Sequence, residues 1–201
     1  MYPTSKQASI MLGHCAHERY VWNLAVEQHL HWYKGRKAAP GFLEQCRQLT
    51  VARRENEWPA AGNADAQQQA LRDFAKAKQA RFTSGFGEPS WRKKYRHEGF
   101  RVIGTDRVPE YNEDGSPKLN AKTGRQVLGR SVVVQKLNRR RAQVKVPGCG
   151  WVRFRLSRTG LPKAKTFRVT YRNGQWHLAF AVIPCRSTRP ARVRSSASTG
   201  A

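Results

Sequence analysis

The second half of this chain contains no acidic residue. All 13 Asp and Glu residues lie within the first 114 of its 201 residues, whereas 20 of the 38 Lys and Arg residues follow them, and the net charge is +25. A polycation of this size repels itself unless a polyanion neutralises it. Nucleic acid is therefore the expected partner, and a membrane surface is the weaker alternative.

The sequence also lacks the signatures of membrane, secreted and metal-binding proteins. No apolar run reaches the roughly 18 residues of a membrane span, and the N-terminus lacks the apolar core of a signal peptide, so a cytoplasmic location is expected. The four cysteines are far apart with no C-x-x-C pair, which argues against a disulfide framework and against a zinc ribbon. The histidines of "HCAHERY" are interpreted as ordinary helix residues.

Signatures of catalysis are absent as well. The sequence has no P-loop, no Gly-rich dinucleotide fingerprint and no G-x-S-x-G element, so no small-molecule substrate and no cofactor are expected. Two-metal hydrolysis of a phosphodiester requires carboxylates that converge on divalent cations, and a half without acids cannot supply them. The residues therefore predict a binding protein with no catalytic residue and no metal ligand.

Helical patterns occupy residues 1–96, which are assigned to a helical recognition region of helix-turn-helix type. The first helix is predicted from the capping candidate Thr4 to about Trp32, with a break near Gly13 as an alternative. "FLEQCRQLTVARRE" and "DAQQQALRDFAKAKQARF" predict two more helices, and "WPAAGNA" between them is predicted as a loop.

Strand patterns occupy residues 97–184, and they become clear after "WRKKYRHEGFRVIG". The β-branched "RSVVVQKL" and the alternating "RAQVKV" and "GWVRFRLSR" predict strands. Asn173-Gly174 between two alternating runs predicts a β-hairpin. The fold class is therefore α+β, with several short antiparallel strands in a small β-barrel or sandwich.

Three basic clusters are the candidate binding sites. They are "SWRKKYR" at 90–96, "NRRRAQVK" at 138–145 and "SRTGLPKAKTFR" at 157–168. In the first cluster, cations that hold phosphate alternate with aromatic rings that offer stacking faces. The alternative interpretation of a single basic run is a solvated face, but three clusters together favour nucleic acid.

The order of these features resembles the TnpB (OrfB) proteins of bacterial insertion sequences. The resemblance rests on "YPTSKQASIMLGHCAHERYVWNLAVEQ", on "ADAQQQALRDFAKAKQARF" followed by "GEPSWRKK", and on "VKVPGCGWVRFRLSRTGLPKAKTFRVTYRNGQWHLAFAV". It extends from about residue 2 to residue 184. Two features depart from the family pattern: the strand that usually precedes "YPT" is missing or shortened, and "KQARF" replaces a run of phenylalanines. A barrel without its first strand is therefore expected.

The resemblance implies an RNA-guided DNA endonuclease, often labelled a transposase. In this family a wedge-like β-barrel carries an inserted helical recognition domain, both hold guide RNA and a short DNA motif, and a RuvC-like nuclease domain with divalent metal follows. The motif matches and the basic clusters together give the predicted nucleic-acid contacts, which are Arg19, Tyr20, Trp22, Asn23, Trp91, Arg92, Lys93, Lys94, Arg139, Arg140, Arg141, Arg158, Lys163 and Lys165.

The last residues, 185–201, stand where the family has a nuclease strand of the form V-V-G-V-D-x-G. Translated one base out of register, with G at each wobble position, "SSASTG" becomes Val-Val-Gly-Val-Asp followed by Arg or Gly. The hypothesis is a frame-shifted, disordered tail on a truncated protein that binds RNA and DNA without cutting. A naturally basic disordered tail is the alternative. The alternative function is a stand-alone nucleic-acid-binding module or repressor.

Overall fold

The computed structural model describes residues 1–31, 38–112, 114–157, 160–161 and 163–181. The predicted tail at 185–201, with its frame-shift interpretation, lies outside these residues, and so does Arg158. Among the described residues, no helix combines the length and the apolar character needed to cross a membrane.

Four helices form the N-terminal part of the described chain. Thr4 caps the first helix, since its side chain accepts a hydrogen bond from the Gln7 backbone while the Gln7 side chain accepts one from the Thr4 backbone. This helix runs unbroken through Gly13. The helices are α1 Ser5–Leu30, α2 Phe42–Glu55, α3 Glu57–Ala61 and α4 Ala64–Ser84.

The short helix α3 corrects the prediction of a loop at "WPAAGNA". Pro59 is the third residue of this helix. Proline is tolerated in the first turn of a helix, where its missing N–H would have no intrahelical partner. The Arg53 side chain donates hydrogen bonds to the carbonyls of Pro59, Ala60 and Gly62, which fixes α3 against the end of α2.

Within the described residues, eight antiparallel strands follow in three sheets. The predicted hairpin is confirmed, with its turn at Asn173-Gly174. The sheets have the strand orders β1-β7-β8, β2-β3 and β4-β5-β6. The strands are β1 Glu98–Ile103, β2 Asp106–Pro109, β3 Leu128–Ser131, β4 Val134–Lys136, β5 Arg141–Val146, β6 Gly150–Arg155, β7 Thr166–Arg172 and β8 Gln175–Ala181.

The prediction of a barrel is wrong, because none of these sheets closes on itself. "RSVVVQKL" does not form one strand: at Val132 the backbone N–H turns away and donates to the Ala164 carbonyl, 2.9 Å distant. Single hydrogen bonds of this kind link the sheets where a barrel would have continuous ladders. Before α1, the only bridge described is between Tyr2 and Arg153.

Helix α1 belongs to two hydrophobic cores. Its N-terminal half places Met11 and Cys15 in a core with the inward residues of the strands, among them the fully buried Phe100 and Phe167. Its C-terminal half packs in a second core with α2 and α4. The residues shared there are Val21, Trp22, Ala25, Val26, Leu49, Ala70, Leu71 and Phe74. The helical and strand regions are therefore joined through one helix.

Two glycines give a matched test of this fold. A Cβ at Gly104, between β1 and β2, would lie 2.0 Å from the Ser131 carbonyl oxygen, whereas a Cβ at Gly13 would meet nothing within 4 Å. We expect Gly104→Ala to lower the free energy of unfolding by about 1–3 kcal/mol through overpacking. Gly13→Ala should raise it by about 0.5–1 kcal/mol because Ala favours helix. Urea unfolding of both variants measures this, and a Gly104→Ala variant as stable as the wild type would contradict the packing.

Candidate nucleic-acid interface

Two neighbouring side chains of α1 fasten the first basic cluster to the helix. The Asn23 amide donates to the Arg92 carbonyl at 3.1 Å, and its oxygen accepts the Arg92 N–H at 2.8 Å. The Trp22 indole N–H donates to the Ser90 carbonyl at 2.9 Å. Trp22 is only 8% exposed and packs edge-to-face on Phe74. These residues hold the segment 90–97 in place.

Arg92 turns inward from this segment. Its guanidinium lies over the Trp22 ring, 3.8 Å from the centroid, and 3.5 Å from a carboxylate oxygen of Glu18. Burial lowers the pKa of Arg92, although the Glu18 carboxylate opposes this effect. A cation that packs on an indole and pairs with a buried acid contributes to packing as well as to charge.

Glu18 is the buried acid beneath the segment. It has no exposed surface, and one of its oxygens accepts the Arg101 N–H at 2.7 Å. Its other oxygen has no hydrogen-bond partner among the described residues, and burial raises the pKa of Glu18 to about 7. Nearby, Glu98 accepts from the Arg19 guanidinium at 2.6 Å and from the Tyr95 N–H at 2.7 Å. The predicted contact Arg19 is thus engaged inside the protein.

The outer side of the same segment is exposed. Trp91 is 44% exposed and Tyr95 is 79% exposed. Lys93 and Lys94 are also exposed, and the Lys94 ammonium lies 4.8 Å from the centroid of the Tyr95 ring. Aromatic faces beside ammonium groups are the combination that holds single-stranded nucleic acid. Elsewhere on α1, Tyr20 is 46% exposed and meets Trp58 edge-to-face.

The other predicted contacts lie on strand connections. Asn138 shapes the turn between β4 and β5, where its side-chain oxygen accepts the N–H groups of Arg140 and Arg141. Those two arginines and Arg139 are exposed. Before β7, Lys163 is also exposed, whereas Lys165 is engaged with Glu110, with 2.5 Å between the charged atoms. The assignment of these residues to nucleic acid stays a prediction.

The sequence analysis missed a cleft between the segment 90–97 and β7. Its volume is about 250 Å³, and its lining includes Arg92, Arg96, Arg168 and Arg172. The alternation of "TFRVTYR" was the available signal, because it places residues 168, 170 and 172 on one face of the strand. The sequence does not show that this face lies opposite a segment more than 70 residues earlier in the chain.

The metal-dependent nuclease centre that the resemblance implies does not fit the described residues. Within them, no three His, Cys, Asp or Glu side chains are grouped so that they could hold a metal ion. A two-metal phosphodiester centre requires several converging carboxylates. The described part of the chain therefore presents basic and aromatic surfaces.

Glu18 generates a prediction about pH. Because its folded-state pKa lies above the ordinary 4.5, the folded protein binds this proton more tightly than the unfolded chain does. The resulting stabilisation is fully present below pH 4.5 and is lost as the pH rises through about 7. The free energy of unfolding of Glu18→Gln minus that of the wild type should therefore increase by about 1–3 kcal/mol as the pH rises from 5 to 8.

The control for this measurement is Glu55→Gln, which changes an exposed glutamate near the end of α2. Denaturant unfolding over the pH series should show no comparable gain for that control. Parallel stability profiles for wild type and Glu18→Gln would contradict the raised pKa of Glu18.

Comparison with known families adds an independent observation. Residues 1–38 match the model of a helix-turn-helix domain of the OrfB type from IS605-like insertion sequences. No curated protein matches the chain. In the described part of the matched segment, α1 is the one helix, and α2 begins after the match, at Phe42. Helix-turn-helix domains bind DNA, so the match indicates a DNA-binding protein of transposon origin. Over residues 1–38 the chain is therefore similar to the OrfB proteins of IS605-type insertion sequences.

Proposed function

We propose that this chain is the nucleic-acid-binding part of a TnpB-like, RNA-guided system. In this proposal it holds guide RNA and DNA through phosphate contacts and does not cut DNA by itself. The observation that carries the proposal is the family match at residues 1–38 together with the acid-free basic half of the chain. The match supports DNA as a partner, whereas the guide RNA is inferred from the family resemblance.

The ion pairs of the described residues support phosphate contact. Acids on the helices neutralise cations of the strands: Asp65 pairs with Arg130, and Asp73 pairs with both Arg101 and Arg168. These bridges join α4 to the sheets. The exposed arginines of the turn between β4 and β5 have no acidic partner within the described chain. Surface cations of this kind displace counterions from nucleic acid when they neutralise its phosphates.

The exposed surface suits the role that the protein has in an RNA-guided effector. In RNA-guided effectors, base pairing between guide and target reads the sequence, while the protein holds the backbone and reads a short flanking motif. Exposed Lys and Arg on turns, beside rings such as Trp91, suit backbone and stacking contacts better than an ordered set of base-reading side chains.

The alternative is a stand-alone DNA-binding module or repressor. The observation that favours it is that the matched domain is a helix-turn-helix type, which binds DNA without RNA. The composition of α1 argues against this alternative, because a helix that docks on phosphate needs cations. The only Lys and Arg residues of α1 are Lys6 and the ion-paired Arg19. The dependence of DNA binding on guide RNA separates the two functions.

The turn between β4 and β5 provides the test. Replacing Arg139, Arg140 and Arg141 by Gln should reduce the slope of log K against log salt by about 0.9 for each duplex phosphate that the variant no longer neutralises. Fluorescence anisotropy with a labelled DNA duplex and with labelled structured RNA, between about 50 and 200 mM salt, measures these slopes. The matched control removes three exposed charges from helices, as Arg47→Gln, Arg54→Gln and Lys76→Gln.

The same samples separate the alternatives. TnpB-like function predicts tight RNA binding and DNA binding that strengthens with RNA, and with Mg²⁺ no DNA cleavage above the protein-free background. Specific DNA binding that RNA does not change would support the repressor instead. Robust cleavage by the purified chain, or unchanged salt slopes in the turn variant, would contradict the proposal.

A further inference from the structure

The cleft between the segment 90–97 and β7 has a floor built from alternate residues of the strand. Phe167 and Val169 point into the core, so Arg168, Thr170 and Arg172 face outward. The neighbouring strand β1 places Gly99 opposite Thr170.

Gly99 leaves space above this floor. A Cβ at that position would lie 2.9 Å from the Val169 carbonyl oxygen and 3.0 Å from the Thr170 methyl carbon. The absence of a side chain therefore keeps the backbone of β1 close to β7 and leaves the floor open.

The wall of the cleft carries Arg96 and His97. Hydrogen bonds shape this turn: the Lys93 carbonyl accepts the N–H groups of Arg96 and His97, and the Lys93 N–H donates to the His97 ring at 3.0 Å. Tyr95 adopts a left-handed backbone conformation with φ of 64°. Together with the Asn23 bonds to Arg92, these hydrogen bonds fix the backbone from which Arg96 projects.

The charges of the cleft are only partly neutralised. At its inner end, Arg92 and Arg168 pair with the buried Glu18 and the half-buried Asp73, with Glu18 at 3.5 Å from Arg92 and Asp73 at 3.6 Å from Arg168. Glu98 also lines the cleft, but it is paired with Arg19.

At the outer end, Arg96 and Arg172 have no ion pair with any described residue. An anion that enters the cleft would therefore meet two uncompensated guanidinium groups.

We propose that this cleft binds one phosphate group of a nucleic-acid strand, with Arg96 and Arg172 as its direct ligands. Guanidinium forks match the oxygen geometry of phosphate. The volume of about 250 Å³ holds a phosphate and part of a sugar, and is below that of a typical small-molecule pocket. The exposed rings of Trp91 and Tyr95 on the same segment favour a nucleotide strand over an acidic peptide.

This proposal rests on the proposed function, because that function identifies a nucleic-acid strand as the source of the phosphate. Arg96→Gln with Arg172→Gln should lower the salt slope for a labelled single-stranded oligonucleotide by about 0.7, because the cleft neutralises one phosphate. The affinity near 100 mM salt should fall by roughly fivefold. The control is Arg47→Gln with Arg107→Gln, two exposed arginines that do not line the cleft. A slope change equal to that of the control would overturn the site.

A second measurement uses the wild-type protein and inorganic phosphate, so it does not depend on the proposed function or on the folding of a variant. Titration should shift the side-chain Nε–Hε NMR signals of Arg96 and Arg172 and leave that of Arg47 unchanged. If the wild type binds no nucleic acid but these signals shift, the proposed function is wrong, whereas the cleft is still a phosphate site, for free phosphate. If neither signal shifts, the cleft is not a phosphate site.

Discussion

The attachment of the segment 90–97 to α1 is the constraint on which the rest of the surface depends. Asn23 satisfies both backbone groups of Arg92, and Trp22 holds the Ser90 carbonyl. A partly buried amide that makes two backbone hydrogen bonds is costly to replace, because both partners would lose their bonds in a site with little water. The segment 90–97 is therefore held against α1 in one conformation, with Arg92 directed inward and Trp91 outward.

This attachment also organises the charges. Among the described acids, Glu18, Asp73 and Glu98 each pair with at least one arginine. Buried pairs of this kind contribute little net stability, but removal of one partner leaves a costly unpaired charge. These acids thus offset arginines where the helices meet the strands, whereas Arg96, Arg172 and the arginines of the turn between β4 and β5 have no ion pair within the described chain. A surface of that kind is suited to polyphosphate.

Much of the local structure followed from the sequence, because periodicity and turn chemistry act over short distances. The bounds of α2 and β5 and the Asn173-Gly174 hairpin agree with the prediction. The barrel failed because pairing between distant strands is decided by tertiary contacts, which alternation does not encode. β1 was not recognised as a strand because it is continuous with the basic cluster before it.

The candidate site was predictable in composition but not in geometry. Trp22 and Asn23 were predicted as contacts from the family resemblance, and Arg92 from the basic cluster and the same resemblance. The structure uses these side chains to bind the chain to itself. Arg172, by contrast, is an ordinary outer-face residue in the sequence. Only the approach of the segment 90–97 makes it part of a cleft.

Amide hydrogen exchange at Arg92 tests this account most directly. The Arg92 N–H is bonded to the Asn23 oxygen at 2.8 Å, whereas the neighbouring Lys94 N–H has no hydrogen bond within the described chain. The account predicts that the Arg92 amide exchanges far more slowly than the Lys94 amide, and that Asn23→Ala abolishes the difference. Equally fast exchange of both amides in the wild type would show that α1 does not hold the segment.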